Sequence, residues 1–94
     1  MLLLAAVGDQ PRHGYSVVEF LRERSGGAFD LSEGTVYPAL YRLERAKLLS
    51  SRWAVVRGRR RRVYALTRAG GRALAQQRRE WTVFAGAMKA VAGT

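Results

Sequence analysis

Two short runs of β-branched and aromatic residues, Trp53-Ala54-Val55-Val56 and Val63-Tyr64-Ala65-Leu66, flank Arg57-Gly58-Arg59. Runs of this kind on either side of a glycine turn form a β-hairpin. The other patterned segments have helical spacing, and 94 residues fit one domain. With 48% of residues apolar, that domain has enough material for a core. Met1 to Val7 reads as a short helix ended by Gly8-Asp9 and Pro11, and Pro11-Arg12-His13-Gly14 as a turn in which Gly14 is free to take a positive φ. From Tyr15, Val17, Val18, Phe20 and Leu21 share one face of a helix that Ser25-Gly26-Gly27 stops. In the next helix Val36, Leu40 and Leu43 recur at i, i+4 and i+7 and face a core. Ser32 and Thr35 are alternative N-caps: Ser32 places Pro38 inside the helix with a mild bend, Thr35 places it in the first turn. Ser50 and Ser51 end the helical region, and after the hairpin Thr67 caps a last helix running toward Val91, with Gly93 as its stop. The order is helix, helix, helix, hairpin, long helix. It predicts a mainly α fold with a small hairpin: a winged helix-turn-helix over residues 1–66, followed by a C-terminal helix over 67–94.

Charge is distributed unevenly along this plan. Of 17 basic residues 15 are Arg, against seven acidic ones, for a net charge of +10. Residues 42–62 hold nine basic side chains against Glu44 alone, whereas residues 1–41 are net acidic. A local block of guanidinium groups attracts polyanions and forks onto phosphates and guanine edges. There is no Cys, which excludes disulfides and thiolate metal sites, and Met1–Val7 is too short to span a bilayer. A cytoplasmic protein without a membrane partner is expected.

The third helix and the hairpin carry the candidate contacts. On a helical wheel Gly34, Pro38, Tyr41, Arg42 and Arg45 lie opposite the Val36–Leu40–Leu43 stripe, with Thr35 at the edge and Tyr37 to the side. That face offers small residues for close approach, hydroxyl and guanidinium groups for base edges or phosphates, and a ring for a thymine methyl. Ser32, Thr35, Tyr37, Pro38, Tyr41 and Arg42 are therefore the candidates for DNA contact on the helix, and Arg57, Arg59, Arg60 and Arg61 those on the wing. Alternation sends Arg60 and Arg62 to one face of the hairpin and Arg59 and Arg61 to the other. Trp53 and Tyr64 are expected to be buried. His13 reads as a turn residue rather than a metal ligand or pH sensor.

His13-Gly14-Tyr15, the run from Phe29 to Glu44 centred on Gly34-Thr35-Val36-Tyr37-Pro38-Ala39-Leu40, Gly58-Arg59-Arg60-Arg61, and Tyr64-Ala65-Leu66-Thr67-Arg68-Ala69-Gly70 strongly resemble the PadR family of bacterial transcriptional regulators. The resemblance covers nearly the whole chain. It implies a homodimeric repressor on a palindromic operator in double-stranded DNA, released by a small effector that is often phenolic or drug-like. The segment before the first helix is shorter than is usual in the family. A single C-terminal helix stands in place of a separate helical domain, as in the short subfamily.

In the last helix Leu74, Trp81 and Met88 recur every seven residues, as do Gln77, Phe84 and Val91, an a/d-like seam for a second copy of the chain. By the same resemblance Trp81 matches tryptophans that sandwich flat aromatic ligands at a dimer centre. Simple packing of Trp81 in the dimer core is the alternative. A small basic RNA-binding or ribosome-associated protein suits the charge equally well, but the hairpin lacks an exposed aromatic platform for single-stranded RNA. An enzyme is not expected, since no nucleophile–base pair or phosphate loop appears, and neither cofactor nor metal is implied.

Overall fold

The computed structural model describes residues 1–93. Four helices and three strands follow one another as α1 (Leu2–Asp9), β1 (Arg12–His13), α2 (Gly14–Arg24), α3 (Glu33–Arg45), β2 (Leu49–Val56), β3 (Arg59–Leu66) and α4 (Arg68–Ala92). This is the winged helix-turn-helix that the order of elements predicts. The hairpin is longer than its two apolar runs, because Leu49-Ser50-Ser51-Arg52 and Arg59–Arg62 continue the ladder at either end. Arg57 (φ 52) and Gly58 (φ 76) form a two-residue turn with both φ values positive, which matches the twist of the flanking strands.

Three expectations about where turns and elements fall are corrected. Arg12 and His13 form a strand, pairing antiparallel with Tyr64 and Val63, so the sheet has three strands in the order β1-β3-β2. Two residues are too few for alternation to announce them. Gly14 is the first residue of α2 and has no positive φ; a Cβ there would overlap the phenol end of the Tyr37 side chain, so close approach is what calls for glycine. Likewise Ser50 and Ser51 lie in β2, because α3 already ends at Arg45. The amides of Lys47 and Leu48 bond back to the carbonyls of Glu44 (2.9 Å) and Leu43 (3.0 Å). That is a Schellman closure with Lys47 at φ 64, where glycine usually announces the stop.

Ser32 is the α3 N-cap: its Oγ accepts from the Thr35 amide at 3.2 Å, and Glu33 sits at the positive end of the helix dipole. Pro38 accordingly lies within the helix. The core is one cluster in which Leu4 and Val7 of α1, Val17 and Leu21 of α2, Val36 and Leu40 of α3, Leu49 and Tyr64 of the sheet and Leu74 of α4 meet. Each buried aliphatic side chain contributes about 1.5–3 kcal/mol. Arg12 ties the α1–α2 corner: Nε donates to the Ala6 carbonyl (3.0 Å), Nη1 to Ser16 Oγ (3.0 Å), and Nη2 meets Asp9 (2.7 Å), with Phe20 beneath at 4.2 Å.

α4 leaves this body after about two turns. Gly70 and Leu74 are its buried residues, and beyond Gln77 nearly every side chain is exposed. The radius of gyration is 14.9 Å, against about 12 Å for a compact chain of this length. Among the described residues no helix is long and apolar enough to cross a membrane, and no group of three His, Cys, Asp or Glu could hold a metal ion.

Candidate nucleic-acid interface

α3 and the wing face each other across a cleft of about 520 Å³ lined by His13, Tyr37, Tyr41, Glu44, Trp53, Arg60, Arg61, Arg62 and Tyr64. Its shape follows from register. Ser51, Trp53 and Val55 of β2 stand opposite Tyr64, Arg62 and Arg60 of β3, so these six share the face turned toward α3. Near the root of the wing Tyr64 fills the core at 0% exposure; further out the same face opens to solvent.

Trp53 is consequently 53% exposed, which corrects the expectation that it is buried. The guanidinium carbons of Arg60 and Arg62 lie 4.9 and 5.4 Å from its ring centroid. Such stacking holds the guanidinium groups over the ring and limits the repulsion that crowded arginines otherwise suffer. The opposite wing face carries Arg52, Ala54 and Val56 with Val63, Arg61 and Arg59. A second cavity, about 480 Å³, lies on the wing's other flank, where Arg52, Arg57 and Arg61 approach His13, Tyr15, Ser16 and Glu19.

The residues singled out from the sequence are distributed around these features. Tyr37, Tyr41, Arg60 and Arg61 line the cleft together. Ser32, Thr35 and Pro38 are exposed along α3, and Arg57 and Arg59 are exposed at the wing tip. Arg42 is exposed but turns toward the opposite flank, lining an apolar groove with Met1, Leu2, Leu3, Leu43, Leu48 and Gln77. Tyr37 is half-buried against Gly14. Burial pushes its phenol above the usual tyrosine range, and Glu33 adds to the effect. Burial likewise raises the Tyr64 phenol, followed by the proximity of Tyr41 and Glu44.

Five residues of the cleft were not candidates from the sequence as binding groups: His13, Glu44, Trp53, Arg62 and Tyr64. His13 Nδ1 accepts from the Ser16 amide (3.4 Å), capping α2. Burial and then the Arg61 guanidinium hold its imidazole below the usual histidine range, with Glu19 opposing and Arg57 adding. The neutral ring is the form this cap requires, because an imidazolium has no lone pair to accept with.

In α4 the seam residues divide. Leu74, 3% exposed, belongs to the chain's own core, so the unpartnered face begins at Gln77, whose buried Oε1 has no partner among the described residues. Trp81, Phe84 and Met88 are 54–56% exposed and Val91 88%, with the Trp81 and Phe84 rings 5.8 Å apart.

A three-helix core, an arginine-bearing wing and an exposed reading face on the third helix define a winged helix-turn-helix protein of the nucleic-acid-binding type. Residues 3–76 match the model of the transcriptional regulator PadR-like family, and the chain belongs to that family. It is 43% identical over 77 residues to the transcriptional regulator Rv3488 of Mycobacterium tuberculosis, covering 82% of this chain and 69% of that protein. A PadR family transcription regulator from Clostridium difficile R20291 superposes with a TM-score of 0.83 at 32% identity, covering 94% of this chain and 91% of the other. Bacillus subtilis PadR, solved in complex with operator DNA, shares the fold at a TM-score of 0.73 and 19% identity, over 81% of this chain and 43% of that one.

Proposed function

We propose that the protein is a sequence-specific, double-stranded DNA-binding repressor that works as a homodimer on a palindromic operator. The observation that carries this reading is the cleft itself: the Tyr37–Tyr41–Glu44 flank of α3 and the Arg-bearing face of the wing are turned toward one another. A helix laid in the major groove with a wing beside it straddles one phosphate strand, and that strand crosses the gap between them. Ser32, Thr35, Pro38 and Tyr41 face the bases or the adjoining backbone, Tyr37 and Arg61 border the crossing strand, and Arg57, Arg59 and Arg60 supply phosphate contacts. Arg42, on the flank of α3 away from the cleft, is left out of this contact set. A mobility-shift assay with the DNA upstream of the protein's own gene, competed by bulk RNA at equal phosphate concentration, tests the reading. DNA is expected to persist in the complex; displacement by RNA would favour the RNA-binding alternative.

The wing's share is measurable. Replacing Arg57, Arg59 and Arg60 together by Ala is expected to weaken binding to all duplexes alike. If each neutralises one phosphate, the slope of log K against log salt becomes shallower by about 2.7. An unchanged slope would remove these three residues from the interface.

The second copy is expected along the exposed half of α4. A 25-residue helix extends about 37 Å, and Trp81, Phe84, Met88 and Val91 present an apolar strip that the chain itself leaves uncovered. Gln77 Oε1, buried and unpaired, adds an acceptor at the start of that strip. Two-fold pairing would set two Trp81–Phe84 ring pairs near one axis, the place for a small planar aromatic effector. In a Trp53→Phe background, binding of planar aromatic compounds at this site is expected to quench Trp81 emission. Emission indifferent to such compounds would leave Trp81 as dimer packing alone.

A further inference from the structure

Glu44 is the single acidic residue among residues 42–62, and it lines the cleft that the DNA reading assigns to a polyanion. It also lies in the last turns of α3, where a carboxylate opposes the helix dipole. Both facts make it an unfavourable residue unless it serves something else. Its contacts show what. The Ser51 hydroxyl of β2 donates to Glu44 Oε2 at 2.5 Å, and Arg62 Nε of β3 donates to Ser51 Oγ at 2.7 Å. Arg62 Nη2 lies 3.7 Å from the same carboxylate oxygen, and the Arg62 guanidinium covers the Trp53 ring at 5.4 Å. One continuous chain of contacts thus runs from α3 through β2 to β3. The Ser51–Glu44 bond is the only side-chain hydrogen bond between α3 and the wing among the described residues.

We propose that Glu44 is a positioning residue for DNA reading: through Ser51 and Arg62 it fixes the angle between α3 and the wing, so that both engage one duplex in register. The proposal rests on the DNA-binding reading above. Beyond the buried root at Leu49 and Tyr64 the wing is a two-stranded ribbon, and such ribbons twist readily. The Glu44 contacts hold it where it leaves that root: Ser51 pairs with Tyr64, and Arg62 is the next residue outward on the same face of β3. The cost is one carboxylate in a basic cleft and one guanidinium withdrawn from phosphate contact; the gain is a preset geometry that matters only when helix and wing must bind together.

Charge and geometry predict opposite signs. If Glu44 acted only as a charge, its removal would tighten binding to every duplex. As a brace, its removal weakens binding to the preferred duplex. The probe is a duplex selected by the parent protein from a random library, compared with a shuffled duplex of the same length. Glu44→Gln and Ser51→Ala are each expected to lower affinity for the selected duplex about tenfold, the order set by one charge-assisted hydrogen bond. Affinity for the shuffled duplex stays level, or rises for Glu44→Gln. The double variant loses no more than Ser51→Ala alone, because Glu44→Gln weakens, by removing the acceptor's charge, the same link that Ser51→Ala removes, and Ser51→Thr, which keeps the hydroxyl, restores affinity. Thermal melting of each variant separates these effects from loss of fold. Glu44→Gln binding the selected duplex as tightly as the parent, or both duplexes weakening equally, would overturn the proposal. A parent that selects no sequence at all overturns the DNA reading, and with it the brace.

Discussion

If the parent pairs along α4 as proposed, a Phe84→Asp variant is expected to sediment as a single chain at concentrations where the parent is expected to be a dimer, and to lose most of its operator affinity. Phe84 is 54% exposed at the centre of the strip formed by Trp81, Met88 and Val91 on α4. A carboxylate there would be taken out of water without a partner when two copies pair, at a cost of several kcal/mol. Two-fold symmetry enters that cost twice. The loss in DNA binding follows because each subunit then binds its half-site alone, without the factor of about 10²–10⁴ that linkage provides. Thr82 serves as the control: it lies on the other side of the helix, with its hydroxyl donating to the Arg78 carbonyl at 3.0 Å. Thr82→Asp should leave the dimer intact. Sedimentation of Phe84→Asp with the parent would reject the seam.

The second large effect concerns the joint that carries α4. A Cβ on Gly70 would fall within the van der Waals envelope of the Leu48 carbonyl oxygen and 3.2 Å from Leu66 Cδ2. The carbonyl has little room to yield, since it accepts from the Thr67 amide at 3.1 Å. Thr67 in turn caps α4, its Oγ accepting from the Gly70 amide at 3.0 Å, and donates to the Lys47 carbonyl at 2.7 Å. One added methyl therefore disturbs the end of α3, the base of the wing and the start of α4 together. Gly70→Ala is expected to cost roughly 3 kcal/mol, which lowers the melting temperature by more than about 10 °C in a domain of this size. Gly71→Ala meets no atom within 4 Å and should stabilise by about 0.5–1 kcal/mol, as alanine does in a helix. Circular-dichroism melts of the two variants check both signs. Gly70→Ala melting with the parent would show that the joint relaxes freely.

The architecture was legible in the sequence because its long elements obey single periods. Val36, Leu40 and Leu43 mark the inner face of α3, and the alternation about Gly58 marks the wing. The parts that escaped depend on long-range company. β1 has two residues and exists only because β3 offers an edge at Val63 and Tyr64. α3 stops at a lysine in the left-handed region instead of at a glycine. Trp53 and Tyr64 were both expected to be buried; they share one face of the wing, but only the ladder shows that this face outruns the core before it reaches Trp53. Leu74 repeats in step with Trp81 and Met88, yet the body claims Leu74 while leaving the other two free. The brace at Glu44 was illegible for the same reason, since Glu44, Ser51 and Arg62 become neighbours only after the wing folds back on α3. The Arg block, by contrast, was visible as charge, and register divides it into stacked, braced and free guanidinium groups.

The central claim is that paired copies of α3 read one duplex through its major groove. Protection of guanine N7 from methylation on a duplex selected by the protein addresses it directly, because that atom lies in the major groove. Two protected patches about one helical turn apart (about 10–10.5 base pairs, or a multiple) are predicted. Guanines methylated as freely in the complex as in bare DNA would contradict it.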